Sequence, residues 1–408
     1  MRRILLKKNN IIVFQEMGFV SVFTVALLCI SGVSDAFLLD LSCPVGDPCT
    51  CHRASTINCQ KLDLQDVPDF NETDRDFGNM NVQLNANNIT HIHSRAFEPL
   101  SKTQQRTITL MLQGNNIHTI DDDAFAGISS QITYINLEQN RLTHLPSALG
   151  GHHGLDHLKT LLLKNNPLKT LEYQIMHSLG RTLESFSFGM DSDQWPTTVS
   201  ELRHVSRLVI DPLPVNYIPS NAFSHVPLQV LTFGKTGLEA IPNVVCSLRQ
   251  LTTLSFDTDS VFDVNAMVPY CRHDNHHPSS LLSMTLRGTG ITSIPDQLFK
   301  SFPTIDDLRI AGTDDTYSWI NDLVFPADNK ITHLELNADH LVSIPSSVTS
   351  LPHLTSLDVS SNRISCGCLM KWMLDWELRD NVTIRGSCSN YQMSIQDFVT
   401  TKLETFCH

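Results

Sequence analysis

Three stretches of the chain share one nine-residue pattern: TITLMLQGN at residues 107–115, ITYINLEQN at residues 132–140 and LKTLLLKNN at residues 158–166. In each stretch two aliphatic residues flank a variable one, and an asparagine follows three positions later. This alternation is typical of a short β-strand, whose successive side chains point to opposite faces. Because two inward aliphatic residues cannot form a core alone, we expect the copies to stack into a parallel sheet.

Weaker copies extend the pattern to about twelve repeats over residues 79–364, at steps of 22 to 30 residues. The second core residue of each copy lies at position 84, 112, 137, 163, 188, 210, 233, 256, 286, 310, 336 or 359. The asparagine amide can bond backbone groups that no strand partner reaches. It is present as Asn87, Asn115, Asn140, Asn166 and Asn362, whereas the middle repeats carry Asp191, Thr236, Asp259, Thr289, Thr313 and Asp339. Leu213 cannot make these bonds, so we expect an irregular turn there.

The part of each repeat that returns to the next strand has its own signal. Ala96-Phe97, Ala124-Phe125 and Ala222-Phe223 stand at matching places. We expect each phenylalanine ring to fill the space between the sheet and the convex side.

Cysteines cluster at both ends of the array. The spacing is Cys43-x5-Cys49-x-Cys51-x7-Cys59 before the repeats and Cys366-x-Cys368, Cys388 and Cys407 after them. Array and clusters together resemble the extracellular leucine-rich repeats of slit-like, Toll-like and Nogo-receptor-like ectodomains. The resemblance implies an α/β leucine-rich-repeat solenoid (a horseshoe) with the parallel sheet on its concave face. It also implies disulfide-bonded caps at residues 37–78 and 365–408.

The resemblance further implies which cysteines pair in those caps: Cys43 with Cys51, Cys49 with Cys59, Cys366 with Cys388, and Cys368 with Cys407. A zinc site is the less favoured interpretation, because the tight spacings lack a partner CxxC. Cys246 and Cys271 lie outside the family pattern. They follow Phe233 and Phe256 by 13 and 15 residues, at stacked positions of adjacent repeats, so we predict a cross-link between their returning segments.

The first 36 residues are typical of a secretory signal peptide. A basic start is followed by an apolar run over residues 19–30, and Ser34 and Ala36 predict cleavage before Phe37. Because a membrane span needs about 20 apolar residues, a cleaved signal is favoured over an anchor. Sequons at Asn71, Asn88 and Asn381 predict glycosylation. We therefore expect a secreted, extracellular protein that does not insert into a membrane after signal cleavage.

Charge and motifs exclude several classes of function. The chain has 29 Lys and Arg against 42 Asp and Glu, and residues 1–36 hold four of the former and two of the latter, so the mature charge is −15. This charge repels phosphate backbones and anionic membranes, which argues against a nucleic-acid partner. The chain lacks nucleophile-elbow, phosphate-loop and zinc-protease motifs. We therefore expect no enzyme and no cofactor.

A candidate binding surface follows from the register. Met111, Tyr134 and Leu162 are large and outward on consecutive strands, and contiguous exposed apolar residues are typical of binding surfaces. Asn136, Glu138 and Lys164 complete the predicted site on the concave face. In the alternative interpretation, neighbours or a glycan cover these residues. The C-terminal half presents mixed charge, for example Arg287, Asp307 and Arg309, which either steers a partner or is only a solvated face.

Histidines form three local groups: His91 and His93; His152 and His153; and His273, His276 and His277. A metal site is disfavoured, because carboxylates and free thiols are absent from these groups at metal-site spacing in the sequence. Protonation of all 18 histidines would move the mature charge from −15 to +3. A second hypothesis is therefore that partner binding is sensitive to acid.

The sequence thus favours a secreted recognition protein whose concave face binds a protein or glycan in extracellular signalling, adhesion or innate recognition. Two alternatives stay open: a non-catalytic subunit or matrix component of a secreted complex, and the ectodomain of a longer membrane receptor. The oligomeric state is also open.

The predicted link between Cys246 and Cys271 can be tested with a thiol reagent. Non-reduced, denatured protein is expected to show no reactive thiol at either position. Two reactive cysteines there would refute the cross-link.

Overall fold

The computed structural model describes residues 6–7, 11–12 and 43–407, apart from residues 53–54, 72–75, 103, 151–153, 262–268, 270, 272–278, 290–293, 313–324, 327 and 338–340. It comprises two compact parts, Met1–Pro44 and Val45–His408. In the first, β1 (Leu6–Lys7) and β2 (Ile11–Ile12) form an antiparallel pair. The apolar run and cleavage site of the predicted signal peptide lie outside the described residues.

The second part is built on a 15-stranded sheet. Its N-terminal strands are β3 (Thr50–His52), β4 (Thr56–Asn58), β5 (Asp76–Gln83), β7 (Gln104–Met111), β9 (Ile132–Asn136), β10 (Thr160–Leu163) and β11 (Ser185–Phe188). The remaining strands are β12 (Arg207–Ile210), β13 (Val230–Thr236), β14 (Thr253–Val261), β15 (Ser283–Thr289), β16 (Asp307–Gly312), β17 (His333–Asn337), β18 (Ser356–Asp358) and β19 (Thr383–Arg385). A separate parallel pair, β6 (His91–Ile92) and β8 (Thr119–Ile120), lies in the returning segments. All neighbours in the large sheet are parallel except β3 and β4.

Helices occupy some of the returning segments and the C-terminal end. The α-helices are α1 (Tyr173–Leu179), α2 (Asp296–Ser301), α3 (Ile395–Thr401) and α4 (Leu403–Phe406). The 3₁₀ helices span Glu98–Lys102, Ser147–Leu149, Thr197–Glu201, Asn243–Ser247, Ser346–Ser350 and Cys368–Asp375. None of the helices in the described part of the chain has the length and apolar character needed to cross a membrane.

Strand register explains why the repeats stack. Leu110, Ile135 and Leu161 are direct partners across β7, β9 and β10, and each is fully buried. Leu112 and Leu137 at the strand ends are buried as well. Each aliphatic side chain therefore closes the core of its neighbour, at a gain of about 1.5–3 kcal/mol per side chain removed from water.

Each end of the sheet carries disulfide-linked segments. Cys49 is bonded to Cys59 beside β4, and Cys366–Cys388 and Cys368–Cys407 hold the C-terminal segment whose strand β19 pairs with β18. The structure is thus the predicted solenoid with a disulfide-bonded cap at each end. The pairing of Cys43 with Cys51 and the limits of the caps stay predictions. The predicted link of Cys246 to Cys271 is also present in the structure.

Phenylalanine rings form a second stack behind the sheet. Phe70, Phe97 and Phe125 are buried, with ring centroids 5.9 and 6.0 Å apart along the series. Phe223 is also buried and meets Trp195 edge-on at 5.4 Å. These rings fill the space that the Ala-Phe pairs predicted for them.

Buried asparagines link the repeats through their amides. Asn140 Nδ2 donates to the carbonyls of Leu112 and Leu137, both at 3.0 Å, and its Oδ1 accepts the Ile117 N–H at 3.0 Å. Asn115 and Asn166 make the same three contacts one repeat earlier and later. Each amide satisfies backbone groups of two repeats, which would otherwise be buried without partners.

The middle repeats meet this need differently. Thr236 is buried and its hydroxyl accepts the Leu238 N–H at 3.3 Å. In the next repeat β14 continues the alternation of Leu254 and Phe256, so Thr258 is buried and pairs with Thr236. Its hydroxyl donates to the Leu238 carbonyl at 2.7 Å. The side chain of the predicted Asp259 lies outside the described residues. Asp191 is exposed and does not take the asparagine role.

The expected irregular turn at Leu213 contains a cis Asp211–Pro212 peptide bond. The side chains of Thr289, Thr313 and Asp339 lie outside the described residues.

Asn140→Asp should lower the free energy of unfolding by about 3 kcal/mol. The carboxylate keeps the size of the amide but cannot donate to the two carbonyls, and a buried charge is left uncompensated. Thermal unfolding followed by circular dichroism measures the loss. The exposed Asn243→Asp is the matched control, and equal melting temperatures for the two variants would contradict a structural role for the amide.

Candidate binding surface

The outward side chains of the sheet form two continuous rows, which the strand register fixes. One row runs through Met111, Asn136, Leu162 and Ser187. The other runs through Thr109, Tyr134, Thr160 and Ser185. Tyr134 therefore lies beside the first row, two residues before Asn136 on the same strand.

The predicted apolar residues are half-buried on this face. Met111, Tyr134 and Leu162 all keep part of their surface accessible, as do Glu138 and Lys164. We call Met111, Tyr134 and Leu162 the apolar patch. These side chains come from three adjacent strands, so the patch has a rigid base.

Asn136 corrects the predicted site, because it is buried at 6% exposure. Met111 and Leu162 are its direct neighbours on either side, and their bulk covers the short amide. Its Oδ1 accepts the backbone N–H of Glu138 at 2.9 Å. Asn136 thus supports the patch from beneath and offers a partner little surface.

Tyr134 stays neutral at physiological pH. Burial raises the pKa of its phenol, and the Glu138 carboxylate raises that pKa further, while a hydrogen bond with Asn136 acts in the opposite direction. A neutral phenol presents both an aromatic face and a hydrogen-bonding group.

The polar neighbours of the patch already have partners. Lys164 Nζ forms an ion pair with Asp211, whose side chain is only 12% exposed. Asp211 fits between Gly189 and Gly234: a Cβ at Gly234 would lie 2.5 Å from its Cγ. Glu138 Oε1 accepts a hydrogen bond from the Ser187 hydroxyl at 3.3 Å.

Charged residues of the C-terminal half also pair with one another. Arg309 donates to Asp307 at 3.1 Å and lies 3.7 Å from Glu335. The Asp307 hydrogen bond raises the pKa of Arg309. Arg385 lies 4.0 Å from Asp358. Because these charges satisfy each other, this half of the face favours the solvated alternative over a binding surface.

The structure corrects the view of one histidine group. His91, His93 and Asp121 bring ligand atoms within 4.8 Å of one another. Asp121 lies 30 residues after His91, and the pairing of β6 with β8 brings it alongside. The other two histidine groups lie outside the described residues.

The predicted glycosylation sites differ in exposure. Asn71 and Asn381 are exposed, and Asn88 is half-buried. None of the three lies on the apolar patch. Their modification stays a prediction.

Comparisons with known proteins agree with this geometry. The leucine-rich-repeat family profile matches residues 106–168. The chain carries leucine-rich repeats. Leucine-rich repeat-containing protein 3 of Danio rerio is 30% identical over 122 residues, which are 30% of this chain and 41% of that protein. The chain therefore spans about two fifths of the length of this curated relative.

A solved structure gives the same fold. The crystal structure of the TLR13-ssRNA13 complex matches with a TM-score of 0.55 and 19% identity, over 83% of this chain and 50% of that one. At this identity the likeness concerns the fold alone.

Sequence reasoning missed two features of the surface. Asp211 is 47 positions from Lys164 and follows two intervening strands, so no local pattern joins them. The small residues Ser187, Thr232 and Ser255 continue the outward row across β11, β13 and β14. Their position follows from the strand register, so the alternation in the sequence could have indicated it.

Lys164→Ala should lower the free energy of unfolding by about 1–2 kcal/mol, since it leaves the nearly buried Asp211 without its cation. Urea denaturation measures the change. Lys159 and Glu184 form an exposed pair at 2.8 Å, so Lys159→Ala should cost less than about 0.5 kcal/mol. Adding Asp211→Asn should recover part of the loss in Lys164→Ala. Equal costs for the two lysine variants would contradict the account.

Proposed function

We propose that this chain is a secreted, non-catalytic recognition protein that binds an extracellular protein partner through the apolar patch. The observation that carries the proposal is the accessible surface of Met111, Tyr134 and Leu162 on three adjacent strands of the sheet face. Aromatic and methionine side chains are enriched at protein interfaces, and a few such residues supply most of the binding energy.

The setting of the patch favours a protein over a glycan. Glu138 and Lys164 flank it, but their charges are engaged with Ser187 and Asp211. These two charged groups are therefore not available to bind the hydroxyl groups of a sugar. An apolar side chain of a partner protein would instead displace water from Met111 and Leu162 at about 25 cal/mol per Å².

Nucleic acid is a less favourable partner for this chain. The similar fold in the TLR13-ssRNA13 complex belongs to a protein solved with single-stranded RNA. Here the mature charge of −15 would repel a phosphate backbone. Two basic residues of the face, Lys164 and Arg309, are also paired with carboxylates.

Disulfides support an oxidising compartment, because such bonds persist in secreted proteins and are rare in the cytosol. The second compact part contains the bonds Cys49–Cys59, Cys246–Cys271, Cys366–Cys388 and Cys368–Cys407. Signal cleavage before Phe37 and glycosylation at the three sequons belong to the same proposal. Roles in signalling, adhesion and innate recognition remain candidates for the biological setting.

The competing proposal is that the chain is a constitutive subunit of a secreted complex. The ratio in which the chain purifies with its partner distinguishes the two proposals. A recognition protein should purify from native fluid alone, whereas a subunit should purify with its partner in fixed ratio. Capture from native fluid with the mature chain, followed by mass spectrometry, identifies the partner for the next test.

Tyr134→Ala and Leu162→Ala should each weaken binding of the captured partner by about 5- to 30-fold, the effect of losing about 1–2 kcal/mol at an interface anchor. Surface plasmon resonance with the purified partner measures the change.

Matched controls lie away from the sheet face. Tyr217, 66% exposed, lines a groove of about 540 Å³ in the returning segments, and Leu369, 73% exposed, lies in the C-terminal cap. Tyr217→Ala and Leu369→Ala should leave affinity unchanged. If the controls weaken binding and the patch variants do not, the partner uses another surface. Capture of a glycan without any protein partner would also contradict the proposal.

A further inference from the structure

Four metal-ligating side chains meet in the returning segments, away from the sheet face. His91 lies in β6 and His93 follows it at the spacing that keeps both side chains on one side of an extended segment. Asp121 comes directly after β8 in the next repeat. Asp66 belongs to the segment that precedes the first repeat strand. Three successive layers of the solenoid thus contribute to one cluster.

The ligand atoms of this cluster lie within hydrogen-bond or ion-pair distance of one another in two pairs. His91 Nε2 lies 2.7 Å from Asp121 Oδ1, and His93 Nε2 lies 3.5 Å from Asp66 Oδ1. The two imidazole rings lie 4.1 Å apart between centroids. One ligand atom from each of His91, His93 and Asp121 falls within 4.8 Å of the others.

A second set of contacts orients the Asp121 carboxylate. Its Oδ2 accepts the backbone N–H of Ser94 at 2.8 Å, which leaves Oδ1 directed at His91. The Ser94 hydroxyl donates to Asp123 at 2.9 Å and so fixes this turn. The hydrogen bond with His91, followed by that with Ser94, lowers the pKa of Asp121 and keeps it ionised. Such outer contacts commonly orient metal ligands.

The strands beneath the cluster make its base rigid. His91 pairs with Thr119 and Ile92 with Ile120. Both isoleucines are buried. The cluster therefore projects from a packed two-stranded support whose backbone is fixed by the core.

We propose that His91, His93 and Asp121 bind one Zn²⁺ ion, with Asp66 as the fourth ligand. Two imidazoles and carboxylate oxygens are ligands that zinc accepts in tetrahedral sites, whereas Ca²⁺ and Mg²⁺ prefer oxygen alone.

The adjustment needed for coordination is small. Zinc–ligand bonds of about 2.0–2.1 Å place tetrahedral ligand atoms about 3.3 Å apart. The 2.7 Å contact between His91 and Asp121 must open slightly, and the other separations among the ligand atoms of His91, His93 and Asp121, up to 4.8 Å, must close. Asp66 lies 3.5 Å from His93 and must turn toward the other two ligands. Side-chain rotation suffices, since His93 and Asp66 are 61% and 64% exposed.

Bound zinc would clip the N-terminal cap to the first two repeats. It would stabilise the folded chain in proportion to its affinity and concentration, because the ligands are brought together only by folding. This role is separate from partner binding at the apolar patch.

The test uses the full secreted chain, purified without a histidine tag and stripped of metal by a chelator. Calorimetric titration with Zn²⁺ at neutral pH should give one equivalent with a Kd of about 1 µM or tighter. Zn²⁺ should raise the melting temperature, and Ca²⁺ or Mg²⁺ should not.

Conservative variants locate the ion. His91→Gln, His93→Gln and Asp121→Asn should each weaken Zn²⁺ binding at least about tenfold and reduce the thermal shift. His93→Gln is the variant least able to disturb folding, since its side chain is largely exposed, and circular dichroism checks the fold of each.

Two control variants test whether histidines outside the proposed site bind the zinc ion. His144→Gln changes an exposed histidine elsewhere, and the triple variant at His273, His276 and His277 removes the largest sequence cluster. Both should bind zinc like the parent chain. Absence of stoichiometric binding, or loss of the tight site in the triple variant with retention in His93→Gln, would overturn the proposal.

Discussion

Each repeat closes its core against the next one, and the buried asparagine amide extends this closure to the backbone. Leu137 needs Leu112 and Leu163 beside it, because a lone strand leaves its inner face open to water. Asn140 adds hydrogen bonds that span the same boundary, to Leu112 on one side and Leu137 on the other. Both interactions require a neighbour. The end repeats have none on one side, and disulfide-bonded segments take its place.

The fold could be predicted from sequence because its period is local. A nine-residue pattern fixes which side chains point inward, and the cysteine clusters mark where the array ends. Prediction was weaker where the period shifts. Thr258, one position before the predicted Asp259, is buried because β14 continues its alternation past Phe256, whereas β13 has one extra residue between Phe233 and Thr236.

The surface could be predicted only in part. The outward row containing Met111 and Leu162 follows from alternation, but the burial of Asn136 depends on the size of its neighbours across the sheet. Contacts between distant repeats, such as Lys164 with Asp211 and His91 with Asp121, need the stacking itself. A sequence pattern predicts which side chains lie on one face of the sheet. It does not predict which side chains of different repeats pair with one another. Stacking also places different residues on the sheet and on the returning segments. The sheet carries the half-buried apolar patch, while the returning segments bring polar side chains of successive repeats together.

Native-state hydrogen exchange tests most directly whether asparagine amides bind the repeats into one core. The backbone amides of Ile89, Ile117 and Leu142 donate to asparagine side chains rather than to a strand partner. The account predicts that they exchange as slowly as the buried amides of β7 and β9. Exchange at the rate of exposed loop amides would contradict it.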